Sequence, residues 1–317
     1  ASATRGAELA QLDIQEKGAQ HSQLSVLTSS TSPNIPQGYL SDPQPVSFPT
    51  SGRAVAHGFF YPPANPEFSG PENGLPPLMV VCHGGPTGAT GTALNLKIQY
   101  WTSRGFAVLD VNYRGSTGYG RQYRQQLQGQ WGIADVEDVT AGARYLIEQQ
   151  QVDPQNIAIR GSSAGGYTVL AALCFRDLFR AGACLYGIGD LETLARDTHK
   201  FESRYLDRLV GPYPEQKARY RDRSPLYHAE QFHCPVIFFQ GLDDQVVPPE
   251  QALTMVNALK EKHLPVAYLP FADEGHGFRK AETIRQALEA ELYFYGRVFG
   301  FVPADALQGI FIHNLQE

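Results

Sequence analysis

The 317-residue chain has only four cysteines, no run of basic residues and no apolar stretch long enough to span a bilayer. Cys82, Cys174, Cys184 and Cys234 lie far apart in apolar contexts, with neither Cys-x-x-Cys pairs nor histidine spacing suited to zinc. They read as reduced core residues, and no metal or organic cofactor is expected. With 26 basic against 32 acidic residues the net charge is −6, which argues against nucleic acid or an anionic membrane as the main partner. The N-terminus lacks a charged region followed by an apolar one, so a cytoplasmic protein is expected, although the chain begins Ala1-Ser2 rather than with Met.

What is present divides the chain unevenly. Residues 1–52 are rich in Ser, Thr, Gln and Pro and carry only short apolar patches, a composition that predicts a strand or two plus a linker. Residues 53–317 alternate short apolar runs with amphipathic helices, the pattern of a mostly parallel sheet covered on both faces. Strands are expected over Val55–Tyr61, Leu78–Cys82, Phe106–Val111, Ile157–Arg160, Ala183–Tyr186, Val236–Gln240 and Val266–Leu269. Helices are expected over Ala134–Gln150, Ala164–Phe175, Pro249–Lys262 and Lys280–Val298. The charged, aromatic stretch Thr193–Pro225 reads as an insertion over the sheet.

The pentapeptide Gly161-Ser162-Ser163-Ala164-Gly165 stands where the strand around Ile159 turns into a helix. A serine hydroxyl is a poor nucleophile until a sharp turn holds it clear of the sheet beside a base. Glycines two residues before and two after allow that turn. Ser163 has them; Ser162 does not.

An activated serine needs a base and an orienting acid, which on an α/β fold of this kind follow in the order Ser, Asp or Glu, His on loops after strands. Gly241-Leu242-Asp243-Asp244 follows one apolar strand, and Asp273-Glu274-Gly275-His276 follows the next. Asp243 is taken as the acid and His276 as the base, with Asp244 as a turn residue or a neighbour behind the acid. Acyl transfer also requires donors aimed at the oxyanion. The loop Cys82-His83-Gly84-Gly85-Pro86 supplies the Gly85 N–H, and Ala164 supplies the one after the nucleophile. His83 precedes the serine and follows a different strand, so it reads as a partner that shapes this loop.

Together with Asn112-Tyr113-Arg114-Gly115-Ser116-Thr117-Gly118-Tyr119-Gly120, Trp131-Gly132 before Asp135, Gly241-Leu242-Asp243-Asp244-Gln245-Val246-Val247-Pro248 and Gly275-His276-Gly277-Phe278, these motifs resemble the catalytic domain of the prolyl oligopeptidase family of serine peptidases. The acylaminoacyl peptidase and dipeptidyl aminopeptidase branch is the most similar. The resemblance covers residues 50–301 or so, and the ordered set is far more specific than Gly-x-Ser-x-Gly alone. It implies an α/β-hydrolase fold, Ser163, Asp243 and His276 as the triad, and Gly85 and Ala164 as oxyanion donors. It also implies contact of Gln245 with the substrate backbone, where relatives carry Arg or Asn, and a pocket lined by Val246, with Tyr167 and Tyr186 as further lining residues or as ordinary core. Glu202 stands as a candidate partner for a substrate ammonium or for a nearby arginine.

Family members generally carry an N-terminal β-propeller, for which these 317 residues have no room. Residues 1–50 resemble the tail of such a propeller and its linker. The implied partners are a peptide or acyl-amino-acid substrate and either a β-propeller or a second copy of the chain. An ester hydrolase with the same triad, and a subunit inactive until its partner associates, are the rival readings.

Overall fold

The computed structural model describes residues 2–14, 23–29, 35–72, 74–197 and 203–315. Strands β1 (Glu8–Asp13) and β2 (Gln23–Ser29) form a separate antiparallel hairpin. The main sheet is built from β3 (Gln44–Pro49), β4 (Val55–Tyr61), β5 (Leu78–Cys82), β6 (Ala107–Asn112), β7 (Ile157–Ser162), β8 (Ala181–Leu185), β9 (Val236–Gly241) and β10 (Val266–Phe271). Its order is β10-β9-β8-β7-β5-β6-β4-β3. The pairs β3/β4 and β4/β6 are antiparallel and the rest parallel.

The expected boundary after residue 52 cuts this sheet. β3 pairs with β4 from Gln44↔Phe60 to Pro49↔Val55, and Phe48 is buried in the core. The segment 1–52 therefore contributes the edge strand of the fold, besides the hairpin. Prolines at positions 45 and 49 are tolerated there because an edge strand leaves some N–H positions without a ladder partner.

Helices are α1 (Leu96–Thr102), α2 (Gly120–Gln125), α3 (Ala134–Glu148), α4 (Ala164–Phe175), α5 (Leu191–Asp197), α6 (Tyr205–Leu209), α7 (Lys217–Asp222), α8 (Pro249–Glu261) and α9 (Ala281–Phe299). Because successive strand side chains alternate faces, each central strand feeds two cores. Val80, Leu109, Ile159 and Phe238 pack with α3, α4 and α8. Met79, Val108, Ala158 and Phe239 pack with α1 and α9. Full burial of a side chain such as Phe238 contributes about 1.5–3 kcal/mol, so the two layers supply most of the driving force for folding. Helix α4 is apolar all round and buried from Ala164 to Cys174, as a helix between the sheet and other helices must be.

Two buried ion pairs lock the layers. Arg160 on β7 donates from Nε to Glu291 on α9 at 2.9 Å. Arg114, after β6, meets Asp138 on α3, whose carboxylate also accepts from the Arg114 N–H and from Thr50. The expected insertion holds α6, α7 and all but the first two residues of α5. It is clipped together by the buried Glu192, which accepts from Arg221 Nε at 2.7 Å and Lys217 Nζ at 2.9 Å. All four cysteines are unpaired and buried; burial pushes the thiols of Cys174, Cys184 and Cys234 up to about 12. No helix among the described residues is long and apolar enough to cross a membrane.

Candidate active site

Strands β5, β7, β9 and β10 are parallel, so the loops leaving them gather at one rim of the sheet. Ser163 stands between β7 and α4 with φ 55° and ψ −123°, a conformation that is costly for a residue with a side chain and marks a sharp turn. The turn is closed by its glycines. A Cβ at Gly161 would strike the Gly165 carbonyl, and one at Gly165 would strike the carbonyls of Cys82 and His83. The Ser163 N–H donates to Leu185 O at 3.0 Å, while its carbonyl accepts from Tyr167 N at 3.1 Å and starts α4.

Ser163 Oγ lies 2.8 Å from His276 Nε2. On the other side of the ring, His276 Nδ1 lies 2.8 Å from Asp244 Oδ2. An ionised carboxylate only accepts, so the neutral imidazole carries its proton on Nδ1 and leaves Nε2 to accept from the serine hydroxyl. This arrangement can draw the proton from Ser163 Oγ as the oxygen attacks, with the new imidazolium stabilised by the buried acid.

The partner of His276 is thus Asp244 and not Asp243. Asp243 is exposed, and its N–H donates to Glu274 O. Asp244 is buried; its Oδ1 accepts the N–H groups of Val246 and Val247, each at 2.9 Å, and Oδ2 faces His276 and, at 3.4 Å, Gln240 Nε2. A carboxylate that accepts the N–H groups two and three residues ahead forms the turn leading to Pro248 and α8, and only the second aspartate has that spacing to both Val246 and Val247. Asp243 stands at the same spacing from Gln245 and Val246, so the sequence by itself carries no signal that separates the two acids.

The histidine loop is fixed from beneath. Glu274 is buried and accepts from the N–H groups of Arg279 and Lys280, which with the nearby Thr283 hydroxyl outweigh the effect of burial and hold its carboxyl below the usual range. Leu242 N donates to Phe271 O and Asp243 N to Glu274 O, which tie the loops after β9 and β10 together.

The glycine-rich loop after β5 runs beside the nucleophile: a Cβ at Gly84 would sit 3.6 Å from Ser163 Cβ. Among the described residues no acceptor takes the N–H of Gly85 or of Ala164. His83 shapes this loop as expected, with Nδ1 2.8 Å from Gly84 O, Nε2 2.7 Å from Ser116 Oγ and its ring stacked on Tyr113. Burial lowers its pKa, with the Gly84 carbonyl opposing, which favours the neutral ring.

The expected substrate residues separate. Tyr186, at the end of the strand between β7 and β9, meets His276 edge-on at 5.1 Å and Phe278 at 5.2 Å. Val246 and Gln245 are exposed at the same loop, but Gln245 follows the His276-facing acid by one residue rather than two. Tyr167 does not line the site. It is fully buried, packs on Trp131 at 4.6 Å and donates to Arg223 O at 2.9 Å. Glu202 lies outside the described residues. Among the described residues no group of His, Cys, Asp or Glu is arranged to hold a metal.

Comparison with known proteins agrees with this geometry. The description of the prolyl oligopeptidase family of peptidases matches residues 92–301. Dipeptidyl aminopeptidase BIII of Pseudoxanthomonas mexicana is 32% identical over 213 residues, which span 65% of this chain and 31% of that protein. A puromycin-hydrolyzing peptidase of Mycobacterium tuberculosis superposes with a TM-score of 0.94 at 44% identity, covering 98% of this chain and 47% of that one. An acylaminoacyl peptidase in complex with Z-Gly-Gly-Phe-chloromethyl ketone superposes with a TM-score of 0.75 at 27% identity, covering 84% and 43%. The chain therefore spans less than half the length of each of these relatives.

Proposed function

Since the chain belongs to the prolyl oligopeptidase family, we propose that it hydrolyses short peptides or N-acylated amino acids through an acyl-enzyme on Ser163. The observation that carries this reading is the unbroken contact chain Ser163 Oγ, His276 Nε2, His276 Nδ1, Asp244 Oδ2, with 2.8 Å at each end. In the proposed reaction Ser163 attacks the carbonyl while His276 takes its proton. The same histidine then delivers that proton to the leaving amine, and activates the water that releases the acid. The N–H groups of Gly85 and Ala164 are the proposed donors to the oxyanion, a role supported by the lack of an acceptor for either among the described residues.

Tyr186, Phe278 and Val246 are proposed to receive the side chain next to the scissile bond. The edge-to-face pair of Tyr186 and Phe278 beside His276 offers an apolar aromatic wall, which suits an aromatic side chain. The relative bound to a Phe-chloromethyl ketone and the puromycin-hydrolyzing relative support this choice.

A partner for the hairpin is part of the same reading. Leu9, Leu12, Ile14, Leu24, Val26 and Leu27 are each more than half exposed in or beside β1 and β2. A two-stranded sheet that exposes these apolar side chains suits a β-propeller segment or a second copy docking there. A cytoplasmic location is proposed on the four unpaired thiols.

The test compares a peptide p-nitroanilide with the p-nitrophenyl ester of the same acyl group, using this chain and its Ser163→Ala variant. Hydrolysis of both by the native chain and of neither by the variant is expected. Ester turnover without amide turnover would make the protein an esterase. Equal turnover by the variant would remove Ser163 from the mechanism.

A further inference from the structure

The two peptide groups on either side of Gly85 are each held by a side chain. Within the loop, His83 Nδ1 holds the Gly84 carbonyl, which fixes the plane of the Gly84-Gly85 peptide and sends its N–H the opposite way. From across the rim, Tyr205 on α6 donates from Oη to the Gly85 carbonyl at 2.7 Å, and the same oxygen lies 2.8 Å from Thr87 Oγ1. Tyr205 is separated from Gly85 by 120 positions and belongs to the segment that carries α5, α6 and α7. Gly85 has φ 113°, a backbone conformation open to glycine that small rotations can change.

We propose that Tyr205 is a positioning residue for the oxyanion loop, its hydroxyl fastening the Gly85 carbonyl so that the adjacent N–H stays aimed at the reacting oxygen. The inference rests on the hydrolase reading and adds that the α5–α7 segment takes part in the reaction. Only the hydroxyl is required; the ring is half-buried beside a loop that already has its inner support in His83 and Ser116. A donor loosened rather than deleted should cost less than the roughly 10²- to 10³-fold loss seen when an oxyanion donor is removed.

The experiment is Tyr205→Phe, assayed on an N-acyl-phenylalanine p-nitroanilide and with a boronic acid analogue of N-acetylphenylalanine. That analogue forms a tetrahedral adduct on the serine. We expect kcat to fall about tenfold with KM unchanged, and the boronate to bind about tenfold more weakly, since the hydroxyl acts on the tetrahedral state alone. An unchanged kcat, or a loss confined to KM, overturns the proposal. Should Tyr205→Phe fold poorly, Thr87→Val removes the hydroxyl's second partner; it is expected to give a smaller loss of the same kind, and wild-type kinetics there also overturn the proposal. If the native chain neither turns over the anilide nor binds the boronate, the hydrolase reading itself fails. Native activity with an indifferent Tyr205→Phe rejects only the clamp.

Discussion

Asp244 Oδ2 lies 2.8 Å from His276 Nδ1, while the preceding residue, Asp243, turns outward and joins the histidine loop only through its backbone N–H. Two neighbouring carboxylates with opposite exposures give opposite expectations. Asp244→Asn removes the acceptor that fixes the imidazole tautomer and should lower kcat about 10⁴-fold. Asp243→Asn should leave kcat/KM within about twofold, as for a surface change away from the reacting atoms. Steady-state kinetics of the two variants on one anilide substrate decide between them.

The misplacement of the acid by one residue shows what was legible in the chain and what was not. The strand over Val55–Tyr61, that over Leu78–Cys82 and the helix over Ala164–Phe175 were readable to the residue, because mainly apolar segments bounded by turn residues belong to buried elements. β3 was not, since its apolar face is only Val46 and Phe48 between prolines, and its partner β4 supplies the rest. The choice between Asp243 and Asp244 depended on backbone N–H groups two and three residues ahead, which apolar patterning does not report. For Tyr167 the sequence left pocket lining and ordinary core both open, because the residues that bury it, Trp131 and Arg223, come from distant parts of the chain.

Tyr167 and Tyr186 should therefore answer differently to mutation. Tyr167→Phe loses one buried hydrogen bond and should cost about 1 kcal/mol of stability with KM unchanged. Tyr186→Ala should raise KM for aromatic substrates while leaving small acyl groups less affected. Denaturant midpoints and KM values for the two variants provide the check.

The strand that delivers Ser163 is anchored by Arg160 to Glu291, both nearly inaccessible. Glu291→Ala leaves the guanidinium buried without its counter-charge and should destabilise the chain by about 3–5 kcal/mol. Replacing both partners by Met and Leu should cost much less. Urea denaturation of the single and double variants measures the difference.

Asp110 on β6 is buried, and burial raises its pKa to about 7, against the opposing hydrogen bond from Thr90 and the charge of Arg160. In the folded chain it keeps its proton up to that pH, whereas the unfolded chain releases it near its ordinary value of 3.8. Between those limits the native state binds more protons, so this group's contribution favours folding at low pH and fades as pH rises toward 7. Asp110→Asn should flatten that slope. Thermal midpoints of native and variant protein from pH 5 to pH 8, at about half-unit steps, give the comparison.

The most direct test of the account is intact-mass and peptide mapping after exposure to a fluorophosphonate, which reports whether a serine is activated before any substrate is chosen. One adduct per chain, located on Ser163 and lost in both Ser163→Ala and His276→Ala, is the predicted result. A chain that stays unmodified, or an adduct that persists in Ser163→Ala, would contradict it.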